Sequence, residues 1–361
     1  MKEKIVNLVR SLIKFPVVGL DISDTSIKYI KLRSGGLLSL FGEFTIPANL
    51  IVGGEVKDEE ALVKILSSWL GKEGRELRSS FVVASLPEEK SFLRLIQLPR
   101  VKRDEVAGAV RWEIEANVPM PVEDLVFDYE IVEPLEDHLD HFDVVITAYP
   151  KTTVDSYVRV LSRVGFRPVA LELELQAVIR AVVPEVRTHE AKIIVDMGRN
   201  RTSFIIVSGG AIVFTRTVDL GGRVIEENIV KALAVSEEKA TALKKEFGLN
   251  KKAFEGKIFT ALSPLVSTLA EELKHAVAYY ESHAAHLHGA SPGVASILLS
   301  GGDANLYGLD TYLASALKIP VHHTDPFIVL RKMGGPVVPP IPKNQSLAYA
   351  TAIGLALRGA R

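Results

Sequence analysis

The chain has 361 residues, with 43 Lys and Arg against 44 Asp and Glu, and it contains no Cys. At roughly 150 residues per domain, this length predicts two or three compact units. The formal charge of −1 argues against nucleic-acid binding, because neutralising phosphates requires a basic excess or patch. The lack of Cys excludes disulfides, thiolate metal sites and a Cys nucleophile, and it is consistent with a reducing compartment.

The N-terminus has the pattern of a basic amphipathic helix. One helical face would carry Ile5, Leu8, Val9, Leu12 and Ile13. Such a helix could pack on its own domain or on a partner, which we favour, or it could lie on an anionic membrane surface. No small-residue cleavage site follows, so we do not expect a secretory signal. The sequence also has no charge-free apolar run that is typical of a membrane span.

Strand-like and helix-like segments alternate along the chain. Apolar runs predict strands at residues 17–22, 27–32, 81–86, 93–98, 126–132, 144–148, 169–173, 193–197, 204–207, 212–218 and 297–299. Helical periodicity predicts helices at residues 59–70, 103–116, 152–164, 223–232, 237–247, 264–286, 309–317 and 346–358. The Gly- and Pro-rich segment 332–343 is predicted to be an ordered surface loop. This alternation predicts an α/β fold rather than a sandwich or a bundle.

One strand–turn–strand unit occurs in each half of the chain. The first passes Asp21 and enters the polar turn 23–26, and the second passes Asp196 and enters the turn 198–202. Gly and small polar residues at such turns leave backbone N–H groups free to face an anion. Two such hairpins across a cleft could clamp a polyphosphate, with each Asp holding Mg²⁺ directly or through water. Taken singly, each Asp could be a turn residue at a strand end, but the duplication favours the clamp.

Other motifs support or compete with a nucleotide site. The sequence Gly301-Gly302-Asp303 follows a predicted strand and would let a flat base or sugar approach the backbone. Neither the Walker motif nor the Rossmann glycine motif occurs in the sequence. A group of His residues near the end of the helix 264–286 could be zinc ligands, but a solvated helix end is favoured, because neither Cys nor a suitable set of carboxylates accompanies them. These residues are His275, His283, His286 and His288.

The order of the motifs resembles that of the PilM family of type IV pilus assembly proteins, which are cytoplasmic actin-fold ATPases related to the division protein FtsA. The match begins with a first phosphate hairpin at residues 19–28 and a first connecting helix after residues 171–174. It continues with a second phosphate hairpin at 196–202, an adenosine loop at 299–303 and a second connecting helix at 348–357. The stretch 92–157 is more specific. It resembles the subdomain inserted in PilM proteins, through residues 92–99, 111–115, 118–121, 127–129 and 154–157.

The resemblance implies an α/β, actin-like and ribonuclease-H-like two-lobed ATPase fold with an FtsA-type inserted subdomain. It assigns residues 1–90, including the amphipathic extension, and residues 169–188 to the first lobe. Residues 91–168 would form the inserted interaction subdomain. Residues 189–361 would form the second lobe, with a helical subdomain at about 223–288. The implied location is the cytoplasm, at the inner face of the cytoplasmic membrane, with membrane contact through a partner.

The resemblance also implies a site for ATP and Mg²⁺. Asp21 and Asp196 would position Mg²⁺ and its waters, and Gln176 or Glu174 would align the attacking water. Further nucleotide contacts are implied for Ser23, Asp24, Thr25, Ser26, Lys28, Gly198, Asn200, Thr202, Gly221, Gly222, Lys244, Gly301, Gly302 and Asp303. From the residues alone, Lys28 could equally face solvent. The chain departs from the related patterns at Ser23, where Gly is usual, and at Thr241, where FtsA has a Glu near the ribose.

The implied function is a scaffold of pilus assembly. ATP would be a structural and switching ligand with at most weak hydrolysis. The implied partner is the N-terminal cytoplasmic tail of the membrane protein PilN, in the inner-membrane pilus assembly complex, and it would dock near residues 92–99 and 112–128. Trp112 and Phe127 could equally be core residues, and self-association stays open. The alternatives are an FtsA-like filament-forming division or cytoskeletal protein and a small-molecule kinase. The insertion and the missing C-terminal membrane helix favour the scaffold over the filament.

Overall fold

The computed structural model describes residues 17–33, 36–102, 105–132, 141–184, 188, 190–283, 293–336 and 338–360. The predicted amphipathic N-terminal helix therefore lies outside the described residues. Two mixed five-stranded sheets and one three-stranded sheet form the frame of the molecule, and a two-stranded hairpin accompanies them.

The elements alternate in the way that the sequence predicts. The strands are β1 (Val17–Ile22), β2 (Ser26–Arg33), β3 (Leu37–Thr45), β4 (Ile51–Val52), β5 (Glu55–Val56), β6 (Phe81–Leu86), β7 (Phe92–Pro99), β8 (Leu125–Val132), β9 (His141–Pro150), β10 (Arg167–Leu173), β11 (Ala191–Met197), β12 (Thr202–Ser208), β13 (Ala211–Val218), β14 (Val294–Ser300) and β15 (Val321–His323). The helices are α1 (Glu59–Gly71), α2 (Val106–Asn117), α3 (Lys151–Val164), α4 (Glu174–Val182), α5 (Gly222–Leu233), α6 (Glu237–Glu246), α7 (Lys257–His283), α8 (Leu309–Leu317), α9 (Ile328–Lys332), α10 (Lys343–Ser346) and α11 (Ala350–Ala360).

The two five-stranded sheets share one topology. Each is an antiparallel meander of three strands that continues into two parallel strands, in the orders β3-β2-β1-β6-β10 and β13-β12-β11-β14-β15. The strands β1 and β11 hold equivalent central positions. Asp21 pairs with Lys28 in the first sheet, and Asp196 pairs with Ser203 in the second. The duplicated hairpin of the sequence is therefore part of a duplicated sheet.

Helix α11 packs on β1 and on α4 through small residues. A Cβ on Gly19 of β1 would lie 2.2 Å from the carbonyl oxygen of Ala352, and a Cβ on Gly354 would lie 1.8 Å from the carbonyl oxygen of Ala177. Larger side chains at either glycine would push the backbones apart. One apolar core contains residues of both sheets, among them Leu20 from β1.

The three-stranded antiparallel sheet, in the order β7-β9-β8, lies in the chain between β6 and β10. Helix α2 covers it through Val106, Val110 and Ile114, which belong to a separate small core. Helix α3 packs against the first five-stranded sheet instead, because its buried side chains belong to the core that contains that sheet. The predicted insertion 91–168 thus includes a helix that packs with the first lobe.

Strand β3 and helix α7 differ from the sequence predictions, and the short elements β4, β5, β15, α9 and α10 are not predicted either. Strand β3 is not predicted, because Gly42 and polar side chains interrupt its apolar pattern. A Cβ at Gly42 would lie 2.3 Å from the hydroxyl oxygen of Tyr29, so a larger residue there would displace that side chain. The helix predicted to start at Pro264 instead starts at Lys257 and keeps Pro264 inside it. Proline is common in the first turn of a helix, so the pattern suggests a later start than the real one.

Candidate nucleotide site and peptide groove

A cavity of about 370 Å³ lies where the two lobes meet, and we call it the interlobe cavity. Its walls come from the turns after β1 and β11, the loop after β14 and the start of α11. The predicted residues that line it are Asp21, Ser23, Asp24, Thr25, Ser26, Lys28, Asp196, Gly198, Asn200, Gly301, Gly302 and Asp303. Its volume is within the range of about 300–1,000 Å³ that is typical of small-ligand sites.

Polar side chains close the turn after β1. The hydroxyl of Ser23 accepts hydrogen bonds from the N–H groups of Ser26 (3.1 Å) and Thr25 (3.4 Å). The carboxylate of Asp24 accepts hydrogen bonds from the N–H groups of Gly53 and Gly54, each at 3.0 Å, which ties the turn to the β4–β5 hairpin. Ser23, at the position where Gly is usual, therefore stabilises the turn through its hydroxyl.

Lys28 lines the interlobe cavity and has two polar partners. Its ammonium donates a hydrogen bond to the hydroxyl of Ser26 at 3.1 Å and forms an ion pair with Glu43 at 3.3 Å. Its side chain is 17% exposed. The alternative in which Lys28 simply faces solvent does not hold in this structure.

The loop after β14 lies directly on the end of β11. The N–H of Asp303 donates to the carbonyl of Met197 at 3.0 Å. Gly301 has a φ of +88°, and a Cβ there would lie 2.4 Å from the carbonyl oxygen of Met197. Only glycine fits this close approach without strain. The loop therefore brings Gly302 and Asp303 beside the second hairpin.

Several predicted residues do not line the interlobe cavity, and three of them serve the turn after β11. Thr202 is buried, and its hydroxyl donates to the carbonyl of Leu220. A Cβ on Gly221 would lie 2.6 Å from the carbonyl oxygen of Arg199, and a Cβ on Gly222 would lie 2.0 Å from the carboxylate of Asp303. These residues hold the second hairpin and the loop together, so any effect they have on a ligand is indirect.

Gln176 lies in a different cavity from Glu174. Glu174 lines the interlobe cavity, and Gln176 lines the second cavity described below. On an α-helix, side chains two positions apart differ in direction by about 200°, so Gln176 points away from Glu174. Of the two predicted water-aligning residues, the structure brings only Glu174 to the predicted Asp pair.

Lys244 is buried beneath the cavity, with a side chain that is 1% exposed. Its ammonium lies 2.6 Å from the carboxylate of Glu226 and also bonds to Asp303, while Arg199 pairs with Glu226. Lys244 therefore does not line the cavity itself, but it bonds to Asp303, which does. Thr241 offers no replacement for the Glu of the related pattern, since its hydroxyl donates to the carbonyl of Glu237 at 3.1 Å.

Burial raises the pKa values of the carboxyl groups in the cleft, and for Asp196 and Glu174 neighbouring carboxylates raise them further. Burial raises the pKa of Asp21, and the charge of Lys28 opposes this effect. Burial and the charge of Asp21 raise the pKa of Asp196 to about 7. Burial, followed by the charges of Asp21 and Asp196, raises the pKa of Glu174 well above its ordinary value. Burial also raises the pKa of Glu88. A bound cation would relieve this repulsion.

Sequence reasoning missed two contacts that cross between the lobes. Arg201, in the turn after β11, forms an ion pair with Glu89, and the hydroxyl of Ser203 bonds to Glu88. Both glutamates lie in a short 3-10 turn, Glu88–Lys90, that follows β6. Arg201 could have been recognised from the sequence, because it is a basic residue in a predicted phosphate-binding turn. The glutamates carry no such signal, because only the fold brings them to the cleft.

A larger cavity of about 1150 Å³ lies between the three-stranded sheet and the first lobe, and we call it the β8–β10 groove. Strands β8 and β10 both line it, and each is the edge strand of its sheet among the described residues. Val126, Val158 and Val169 provide exposed apolar surface in it, at 42%, 37% and 54% exposure. Asp128 and Glu130 on β8 add negative charge.

An ion-pair cluster forms one end of the groove. The guanidinium of Arg180 bonds to both carboxylate oxygens of the buried Glu172 and to the carbonyl of Gly354. Arg358 approaches the same carboxylate at 3.3 Å. Bidentate Arg–carboxylate bonding fixes these side chains in one arrangement. The cluster therefore joins β10, α4 and α11 beside the groove.

The groove only partly coincides with the predicted docking surfaces. Phe127 and Asp128 line it, whereas β7 is the opposite edge strand of the three-stranded sheet and does not. Phe127 also packs against the small core of this subdomain. Trp112 is 74% exposed on α2, so it is a surface residue rather than a core residue.

Metal clusters and membrane-spanning helices are both absent from the described part of the chain. There, no group of three or more His, Asp or Glu side chains is arranged to hold a metal ion. Within the same residues, no helix has the length and apolar character needed to cross a membrane. His283 stacks on Tyr279 with the ring centres 4.2 Å apart, and His286 and His288 lie outside the described residues.

Comparison with known proteins identifies the family. The family model described as type IV pilus assembly protein PilM matches residues 19–360. The structure titled PilM-PilN type IV pilus biogenesis complex has 23% sequence identity and a TM-score of 0.79, covering 97% of this chain and 100% of that chain.

Two other structures share the two-lobed fold at lower similarity. Ethanolamine utilization protein EutJ from Carboxydothermus hydrogenoformans has 16% identity and a TM-score of 0.55, covering 98% of this chain and 97% of that chain. MreB5 of Spiroplasma citri bound to ADP has 14% identity and a TM-score of 0.52, covering 89% of this chain and 94% of that chain. These matches confirm the predicted actin-like α/β fold, and the chain belongs to the PilM family of type IV pilus assembly proteins.

Proposed function

We propose that the chain is an ATP-binding, actin-like scaffold at the inner face of the cytoplasmic membrane that holds the N-terminal tail of a PilN-type membrane protein. The observation that carries this proposal is the β8–β10 groove, where two edge strands border one partly apolar surface. An edge strand presents unpaired backbone N–H and C=O groups that an extended peptide can use. The match to a structure of a PilM-PilN complex supports the choice of partner.

The groove favours a peptide with both apolar and basic side chains. Successive side chains of an extended peptide point to opposite faces, so alternate apolar residues could meet Val126 and Val169. The carboxylates of Asp128 and Glu130 lie on the same edge strand. They would favour Lys or Arg in the peptide and would speed its association through electrostatic attraction.

The interlobe cavity would hold the nucleotide. Its phosphates would lie between the two hairpins, and its base and ribose would lie against Gly301, Gly302 and the start of α11. The glycine loop fits a flat group, because Gly302 has no side chain and faces the small Ala348. The structure of MreB5, an actin-like relative, was solved with ADP bound, which supports a nucleotide in this cleft.

The donor set in the cavity also fits Mg²⁺. Proteins usually bind this ion through one or two carboxylates together with phosphate oxygens and water, rather than in a complete protein cage. Asp21 and Asp196 provide two carboxylates from opposite lobes. Burial raises the pKa values of both groups, and a bound cation would stabilise their charged forms. When bound, the ion would neutralise charge on the phosphates.

The same electrostatics favour weak hydrolysis. Glu174 lines the cavity, but burial, followed by the charges of Asp21 and Asp196, raises the pKa of its carboxyl well above the ordinary value, which favours the protonated form. A protonated carboxyl cannot accept a proton from an attacking water. Asp21 and Asp196 would then orient the ligand without a strong general base beside them. ATP therefore serves as a structural and switching ligand with at most weak turnover.

A peptide titration tests the proposed partner. A synthetic N-terminal tail of a PilN-type protein is titrated into the wild type, Val169→Asp and the control Val338→Asp. Val338 is 81% exposed and lines neither cavity. We expect Val169→Asp to weaken binding by about tenfold or more, because a hydrated carboxylate would replace the apolar contact that Val169 offers to the peptide. No binding by the wild type, or equal binding by both variants, would refute the proposal.

A further inference from the structure

Every basic side chain that lines the interlobe cavity has a carboxylate partner in this structure. Lys28 pairs with Glu43, Arg199 pairs with Glu226, and Arg201 pairs with Glu89. A nucleoside triphosphate carries several negative charges and needs cationic partners in the cavity. Mg²⁺ would balance part of this charge, and a basic side chain that bonds directly to a phosphate must leave its carboxylate partner or share it with the ligand.

The two Arg pairs differ in how readily they can open. The side chain of Glu226 is 4% exposed and also bonds to Lys244, so opening its pair with Arg199 would strip a buried carboxylate of a partner. The side chain of Glu89 is 27% exposed, so water can solvate it when Arg201 leaves. Arg201 is therefore the arginine that can change partners at the lower cost.

The Arg201 pair also differs in position. Arg201 follows β11 in the second lobe, whereas Glu89 belongs to the turn after β6 in the first lobe, so their bond bridges the cleft. Arg199 and Glu226 both belong to the second lobe. The neighbouring Glu88 bonds to Ser203, the register partner of Asp196. This places the bridge at the phosphate end of the cavity rather than at the glycine loop.

We propose that Arg201 is a specificity-determining residue for nucleoside triphosphates and exchanges Glu89 for the terminal phosphate. The inference rests on the proposed ATP site. A guanidinium can bond to two phosphate oxygens at once, as it does to a carboxylate. A triphosphate therefore opens the bridge between the lobes, and a diphosphate leaves it closed. The freed turn leads directly into β7 of the inserted subdomain.

Nucleotide titrations of four proteins test this inference, with ATP and ADP as probes. We expect Arg201→Ala to lower ATP affinity by about tenfold or more, the scale of a lost charge-assisted hydrogen bond, with little change in ADP affinity. Glu89→Gln should raise ATP affinity, because it removes the competing carboxylate. Arg216→Ala is the matched control, since Arg216 pairs with Glu272 at 2.6 Å and does not line the cavity. It should leave both affinities unchanged.

The outcomes separate this inference from the proposed site. If the wild type binds neither ATP nor ADP, the proposed nucleotide site is wrong and the inference is overturned with it. If the wild type binds both and Arg201→Ala keeps the wild-type ratio of ATP to ADP affinity, only the inference is overturned. If Arg201→Ala does not fold, Glu89→Gln decides. If the ATP affinity of Glu89→Gln equals or falls below that of the wild type, the proposed exchange of Glu89 for the phosphate is contradicted.

Discussion

Gly354 and Ala177 bring two helices into backbone contact, because a Cβ on Gly354 would lie 1.8 Å from the carbonyl oxygen of Ala177. Helix α4 begins at Glu174, which lines the interlobe cavity, and continues to Arg180, which lines the β8–β10 groove. Helix α11 likewise borders both, through Thr351 and through its C-terminal end. This crossing therefore fixes the positions of the two cavities relative to each other.

The first prediction concerns this crossing. Gly354→Ala should destabilise the protein by about 1–3 kcal/mol or more, because overpacking forces the two backbones apart. Urea unfolding would measure the change. The control is Gly108→Ala in α2, where an added Cβ has no atom within 4 Å. That variant should gain about 0.5–1 kcal/mol from helix propensity. Equal stability of Gly354→Ala and the wild type would contradict the close contact.

The second prediction concerns the buried ammonium of Lys244. Lys244→Met would leave the carboxylates of Glu226 and Asp303 without this cation, and removing one partner of a buried ion pair costs about 3–5 kcal/mol. We expect a loss of that size in the free energy of unfolding. The neighbouring Lys245 is exposed, so Lys245→Met should change stability by no more than about 0.5 kcal/mol. Similar losses for the two variants would contradict the buried network.

The third prediction is a pH dependence of stability without nucleotide. Burial and the charge of Asp21 raise the pKa of Asp196 from 3.8 to about 7. Between about pH 4 and pH 7, the folded protein keeps a proton that the unfolded chain releases, so this group lowers the free energy of unfolding as pH rises. Its stabilising contribution is fully present below the pKa of the unfolded chain and is lost above the pKa of the folded protein.

Asp196→Asn removes this ionisation. We expect the variant to unfold at a higher temperature than the wild type at pH 8, with a much smaller difference at pH 4. The control Asp219→Asn changes an exposed carboxylate and should follow the wild type at both pH values. A wild-type pH profile for Asp196→Asn would show that the carboxyl of Asp196 is not held in its protonated form by burial.

The frame of the fold could be predicted from local patterns. The predicted bounds of β1, β6 and α8 coincide with those of the structure, because buried strands read as apolar runs and α8 has a clear helical period. The paired Asp21 and Asp196 were recognisable because their hairpins repeat. Strand β3 was not, since Gly42 and polar residues hide an edge strand whose partner is β2.

The remaining parts of the site depend on contacts between distant residues. Glu89 and Arg201 meet only because two lobes close on each other, and no local pattern marks Glu89. Gly221 and Gly222 look like phosphate-loop glycines in the sequence, yet they pack against the second hairpin and Asp303. Gln176 is two residues from Glu174 on the same helix, so its side chain points in a different direction and lines the β8–β10 groove.

The most direct test of the account is one calorimetric series with two ligands, the PilN-type tail peptide and ATP with Mg²⁺. The wild type, Val169→Asp and Asp196→Ala are each titrated with both. We predict that the wild type binds both ligands, that Val169→Asp loses the peptide and keeps ATP, and that Asp196→Ala loses ATP and keeps the peptide. A wild type that binds neither ligand would contradict the account.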